Sequence, residues 1–477
     1  MDMPSVTDAA ALIRMGEMSA EELTRRCLSA IDRDNISLNA FVFVDQEHAV
    51  ASARDVDRMI LEGRVDELGP LAGVPFGVKD LEDCAGMPTT RGSRWFANGP
   101  AKSSDSIHVG RLRRAGAIPV GKTATPEFGA WAYTASPLLG VTRNPWDLTR
   151  TPGGSSGGSS AAVSSAMVPF ATASDGGGSI RTPASFTGLV GLKCTYGRIP
   201  TLGDTHLAQN SVVGSLTTNV LDTALLLDVM AGPDGRDRTS LPAPTQSYVE
   251  AIYTTDLSRC RVAWSSDLGF AVVDSKVATL CHEAARVFAS SIGASLAERP
   301  ILLDDYTATY VAIEGVDKFV GVDRDLWETR LDELDPRSAP GWTSLRDRTL
   351  PWAANVEAKR RQLVHDVASI FDDVDLIVTP MSSMPPFAAE GPMPTEIEGR
   401  DVHGGMSVVL AMLANLVNLP AISLPAGLVD GLPVGVQVIG PRFREDLLLA
   451  AAARYEACRP WPHHHQLSST ERKDAPR

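Results

Sequence analysis

Two glycine- and serine-rich stretches hold the residues best placed to do chemistry: Thr151–Ser160 (TPGGSSGGSS) and Ala173–Thr182 (ASDGGGSIRT). From 151 to 182 there are seven glycines and only two charged side chains, Asp175 and Arg181. Glycine admits positive φ and lets the backbone come close to a ligand. Along Asp175-Gly176-Gly177-Gly178-Ser179, successive N–H groups can converge on one point and form an anion nest. A serine that ends such a nest is placed like a nucleophile beside its own oxyanion hole. A flexible linker shares this composition, but the apolar runs Ala161–Phe170 and Leu189–Leu192 flank these segments and argue for burial.

Two generic patterns compete for attention. Gly116-Ala-Ile-Pro-Val-Gly121-Lys122-Thr123 fits a phosphate-loop expression. Pro119 has no N–H to offer a phosphate, and the Ile-Pro-Val interior reads as a buried strand. Gly153–Gly157 fits a nucleophile elbow, which must follow a strand; Arg143–Arg150 is instead polar and turn-rich. A Ser-His-Asp hydrolase would also need a histidine beside an acid, and His206, His282, His365 and His403 sit in contexts that do not suggest one.

A longer pattern is far more specific. GGSSGGSSAAV from Gly153, DGGGSIRTPASFTGLVGLK from Asp175 and Tyr196-Gly-Arg-Ile-Pro200 together resemble the signature of the amidase signature family of serine amidohydrolases. Further matches are Leu71-Ala-Gly-Val-Pro-Phe-Gly-Val-Lys79-Asp80, Pro126-Glu-Phe128, Thr142-Arg-Asn-Pro-Trp146, Leu419-Pro-Ala421 and Gly431-Leu-Pro-Val-Gly-Val-Gln437. The likeness is strong over 70–220, weaker over 375–455 and slight over 235–370.

The resemblance implies that Ser179 is the nucleophile, that Ser155, held in a cis peptide, relays its proton, and that Lys79 is the base. It further implies that Ser156 supports the network, that the amides of Gly176, Gly177, Gly178 and Ser179 bind the oxyanion, and that no cofactor or metal is needed. Asp175 and Arg181 are expected to hold the loop in shape. The physics is consistent with these roles. A serine hydroxyl needs a neighbour to take its proton, and lysine can do so only when burial or a nearby cation keeps it neutral; the apolar run Val74–Val78 leads into Lys79. The chain departs from the family at Cys194, where proline is usual, at Ala124 and at Val417-Asn418.

The elements that must position these residues read as an α/β fold. Strand-like runs at Val74–Val78 and Ala117–Val120 alternate with helical stretches such as Ser106–Ala115 and about 158–167. Ser19-Ala20-Glu21-Glu22 reads as a capping box before Leu23, Cys27 and Ile31. Helices are also expected over Asp323–Leu334 and Asn355–Phe371, a strand over Asp375–Pro380 and a strand pair over Leu424–Ile439. Val402–Val429 carries no Asp, Glu, Lys or Arg. Asn415, Asn418, Pro420 and Pro425 interrupt it, so a buried helix (405–416) and strand (421–425) fit better than a membrane span.

The expected architecture is one large domain over 1–465, a mixed central sheet with helices on both faces. Its core would lie at about 65–235 and 372–455, with a substrate-shaping region over 236–371. A disordered tail is expected after Pro460, with 466–477 outside the domain. The formal charge of −14 argues against nucleic acid and anionic membrane as partners. Six cysteines without CxxC spacing, and no apolar run at the N-terminus, point to the cytoplasm.

The expected activity is that of a stand-alone amidase acting on aryl or alkyl amides, or on carbamates. Trp131, Tyr133 and Tyr306–Phe319 are candidate pocket walls. The alternative is the glutaminase subunit of a tRNA-dependent amidotransferase. A homodimer is left open by the sequence.

Overall fold

The computed structural model describes residues 3–202, 210–297, 300–318, 324–402, 406–465 and 467. Strands β1 (Phe41–Val44), β2 (Pro75–Lys79) and β3 (Ile118–Thr123) come first, then the short pair β4 (Ala135–Ser136) and β5 (Gly140–Val141). β6 (Phe170–Asp175), β7 (Val190–Lys193) and β8 (Val212–Thr217) follow, then β9 (Val262–Trp264), β10 (Leu296–Ala297) and β11 (Leu376–Pro380). A small hairpin, β12 (Glu396–Ile397) and β13 (Arg400–Asp401), precedes the final pair β14 (Ala421–Val429) and β15 (Leu432–Ile439).

Among the described residues, eleven of these strands form one mixed sheet in the order β1-β3-β2-β6-β8-β7-β14-β15-β11-β9-β10. Helices cover it, and β2, β6, β7, β8, β11 and β15 are buried at every residue. That is why β2, β11 and β15 read as nearly continuous apolar runs. The expected single-domain α/β fold is the one observed. Residues 236–371 supply β9 and β10 as well as helices, so this stretch completes one edge of the sheet.

Local chemistry accounts for the ends of the elements. Ser19 accepts the Glu22 N–H at 3.0 Å and starts the helix Ala20–Leu38, which buries Leu23, Cys27 and Ile31. The helix expected over 158–167 is Gly157–Ser164, because Ala166 turns left-handed at φ 61°. The helix expected over 323–334 breaks into Arg324–Thr329 and a 3-10 turn, Leu331–Glu333; Asp323 lies outside the described residues. Beyond the break, Leu334 packs with Trp95, Phe128 and Trp342. The helix expected over 355–371 starts earlier, at Leu350, with Thr349 as its cap, and ends at Ile370.

The charge-free stretch is a 3-10 turn (Met406–Val408), the helix Val409–Leu416 and β14, and no described helix is long and apolar enough to cross a membrane. The expected disorder after Pro460 does not hold for 461–465. Trp461 donates to the Thr218 carbonyl at 2.9 Å, and His465 stacks on Trp146 at 4.3 Å between ring centroids. Beyond these residues, all of the expected tail except Leu467 lies outside the described residues.

Candidate active site

The site forms at the carboxyl ends of two parallel neighbours, β2 and β6. Lys79 ends β2 and is fully buried, with its N–H donating to Thr172 Oγ1 at 2.9 Å. Its Nζ lies 2.8 Å from Ser155 Oγ, 2.8 Å from Ser156 Oγ and 2.9 Å from Ser174 Oγ. Burial pushes the Lys79 amine down to about 7, against the opposing pull of Glu82 and Asp175. An amine in that range is a usable base at neutral pH. The Gly154–Ser155 peptide is cis, and Ser156 immediately precedes the helix Gly157–Ser164.

The loop after β6 is held by a buried ion pair. Arg181 donates from Nε to Asp175 Oδ2 and from an Nη to Oδ1, both at 2.9 Å, and both side chains are fully buried. Asp175 also accepts the N–H groups of Gly178 at 2.7 Å and Ile180 at 3.2 Å. Burial alone would raise the Asp175 carboxyl; Arg181 and Lys193 outweigh it and hold the carboxylate well below its usual range. Asn415 donates to the Asp175 backbone and carboxylate, and Gln437 accepts from Arg181. Asp175 and Arg181 thus bond to each other and to the loop backbone.

That geometry corrects one expectation. The Gly178 N–H is engaged by Asp175 and is not available to an oxyanion. The N–H groups of Gly176, Gly177 and Ser179 have no hydrogen-bond partner among the described residues. Gly177 and Ser179 are the half-exposed members of this otherwise buried loop.

The candidate pocket residues separate into two groups. Trp131 is half-buried beside the Ser155 peptide. Tyr133 is only 1% exposed and is packed with Phe186 and Phe387. Tyr306 is buried and donates to the Val409 carbonyl. Tyr310 stands over the loop: a Cβ at Gly177 would lie 1.9 Å from its hydroxyl. Phe319, His206 and His403 lie outside the described residues.

The phosphate-loop pattern is strand β3, where buried Lys122 donates to the Glu82 carbonyl at 2.7 Å and to Thr89 Oγ1 at 2.9 Å. Sequence reasoning missed Ser174, Asn415 and Gln437. Only Ser174 left a local signal, since it shares one face of β6 with Thr172 at period two.

The family described as Amidase matches residues 22–449. A Rhodococcus erythropolis protein named acylamidase is 36% identical over 462 residues, covering 96% of each chain. A glutamyl-tRNA(Gln) amidotransferase subunit from Chloroflexus aggregans is 33% identical over 485 residues, again covering 96% of each. The crystal structure of a bacterial aryl acylamidase of the amidase signature enzymes superposes with a TM-score of 0.88 at 26% identity, covering 99% of this chain and 98% of that one. The chain belongs to the amidase signature family and is a hydrolase of carbon–nitrogen bonds other than peptide bonds.

Proposed function

We propose that the chain is a stand-alone amidase that hydrolyses aryl or alkyl amides through an acyl-enzyme on Ser179. One observation carries most of the weight: a fully buried lysine, lowered to about 7, bonded to the hydroxyl of Ser155. In this reading neutral Lys79 takes the Ser155 proton as Ser155 takes that of Ser179. The Ser179 oxygen attacks the carbonyl carbon, and the C–N bond breaks as the relay returns a proton to the leaving nitrogen. Water then repeats the sequence and releases the carboxylate. The oxyanion faces the amides of Gly176, Gly177 and Ser179, and losing one such donor costs about 3–4 kcal/mol of barrier. Carbamates fit the same scheme.

The 33% identical amidotransferase subunit supports a second reading, glutamine hydrolysis on behalf of a partner. A panel of aryl amides, alkyl amides, aryl carbamates and glutamine, with the purified chain alone, separates the two. Turnover of amides or carbamates that disappears in Ser179→Ala is the expected outcome. Turnover confined to glutamine, or absent throughout, moves the weight to the partner-dependent reading. Full activity in Ser179→Ala would remove Ser179 as nucleophile.

A further inference from the structure

The stretch 236–371 reaches the Ser179 loop through Tyr310 and the Ser155 segment through a separate short turn. Residues 335–338 precede the helix Ala339–Arg346, and their hydrogen bonds cross to residues 127–135. Glu127, 1% exposed, accepts the Asp335 N–H at 2.7 Å. Arg337 donates to the Tyr133 hydroxyl at 2.9 Å and to the Ala135 carbonyl at 3.0 Å, and its guanidinium lies 5.3 Å from the Tyr133 ring centroid. Trp131 donates from Nε1 to Ser338 Oγ at 3.3 Å. Asp335 aligns Arg337, accepting from Nε at 2.8 Å. Trp95, Phe128, Leu334 and Trp342 form a hydrophobic cluster separate from the main core.

The opposite side of the same loop touches the Ser155 segment. A Cβ at Gly154 would lie 2.5 Å from the Trp131 carbonyl oxygen and 2.6 Å from the Tyr133 nitrogen. A Cβ at Gly129 would lie 3.1 Å from Ser155 Oγ. Thr134 Oγ1 donates to the Gly153 carbonyl at 2.9 Å and accepts the Gly157 N–H at 3.2 Å. One stretch of backbone, 129–134, therefore separates the turn from the Ser155 segment and lies close against it.

We infer that the 335–338 turn is a clamp whose principal positioning residue, Arg337, holds Ser155 in register with its partners, an inference that rests on the relay role proposed for Ser155. Arginine suits the place because its planar fork can serve Tyr133, Ala135 and Asp335 at once, which a lysine ammonium on a flexible stem cannot. The clamp makes the 236–371 stretch a determinant of turnover as well as of pocket shape. A displacement of about 1 Å at a reacting group can cost about a hundred-fold in rate.

The test uses the full chain with Arg337→Met, Arg337→Lys, Tyr133→Phe and the double variant Arg337→Met/Tyr133→Phe. It reads kcat, KM, the rate of covalent labelling of Ser179 by a fluorophosphonate, and Tm. In Arg337→Met, kcat and labelling rate should fall about ten- to hundred-fold, with KM moving less than about three-fold. Arg337→Lys should recover part of the loss, and the double variant should be no worse than Arg337→Met. Unchanged kcat in a folded Arg337→Met, or a rise in KM alone, overturns the clamp. If Arg337→Met does not fold, Tyr133→Phe decides: it keeps the ring, and an unchanged kcat and labelling rate overturn the clamp equally. Failure of wild type to label at Ser179 strikes the proposed mechanism beneath it, whereas a labelled wild type with unaltered variants strikes the clamp alone.

Discussion

Three hydroxyls surround the Lys79 nitrogen, and that number constrains what each serine can do. An ammonium donates to all three; a neutral amine has two hydrogens and one lone pair, so one hydroxyl must donate to it. Ser156 points its own proton at the Ser174 carbonyl, 3.3 Å away, which leaves Ser155 or Ser174 to face the lone pair. With Lys79 lowered by burial to about 7, kcat/KM should rise with pH through that value and level off above it. A stopped-time assay from pH 5.5 to 9 on a stable enzyme checks this, and a flat or falling profile across that limb counts against Lys79 as the base. Ser174→Ala removes an acceptor that favours the charged amine, a bond worth about 1.5–3 kcal/mol. The limb should therefore move down by about one to two pH units at reduced turnover; a move upward would show that Ser174 mainly serves the neutral form.

At the scale of elements, the loop between β6 and the helix Arg181–Thr187 is shaped by groups far away in the chain. Asn415 on the helix Val409–Leu416 bonds Asp175 across 240 positions at 3.0 Å, and it accepts from Arg181 at 2.6 Å. Asn415→Ala leaves a buried, charged network short of one partner and should lower stability by about 2–3 kcal/mol. Urea unfolding measures this, and a change below about 0.5 kcal/mol, the range of a surface substitution, would mean the network closes without it. Residue types and spacing make β2, β3, β11, the β14–β15 pair and the cap at Ser19 legible, because each depends on neighbours in sequence. In the sequence Asn415 reads only as an interruption of an apolar span, because its partners lie on another element. The engagement of the Gly178 amide is hidden for a related reason: the expression DGGGS gives its amides but not which one Asp175 takes.

For the whole molecule, the deep sheet that lowers the Lys79 amine also makes stability depend on pH. Lys79 and Lys193 are both fully buried, lowered mainly by burial to about 7 and about 8 from an unfolded value near 10.5. Between the folded and unfolded values the unfolded chain binds more protons, so stability rises with pH across that window and is lost as pH falls back towards the folded values. Each lysine contributes at most about 1.4 kcal/mol per pH unit. Other buried groups bound the observation. Glu456, pushed up to about 7 by burial, acts below that pH, while Cys27, Cys84, Cys194, Cys260 and Cys281, all raised by burial, oppose the lysines as pH nears the ordinary thiol value of 9.0. From about pH 7 to 8 these opposing groups weigh least, and comparison with a Lys79 variant cancels them. Urea midpoints should climb across that range in the wild type, and Lys79→Met should climb less, whatever its absolute stability. Parallel slopes in the two proteins would mean that Lys79 stays charged in the folded state, and a charged lysine could not accept the proton of Ser155.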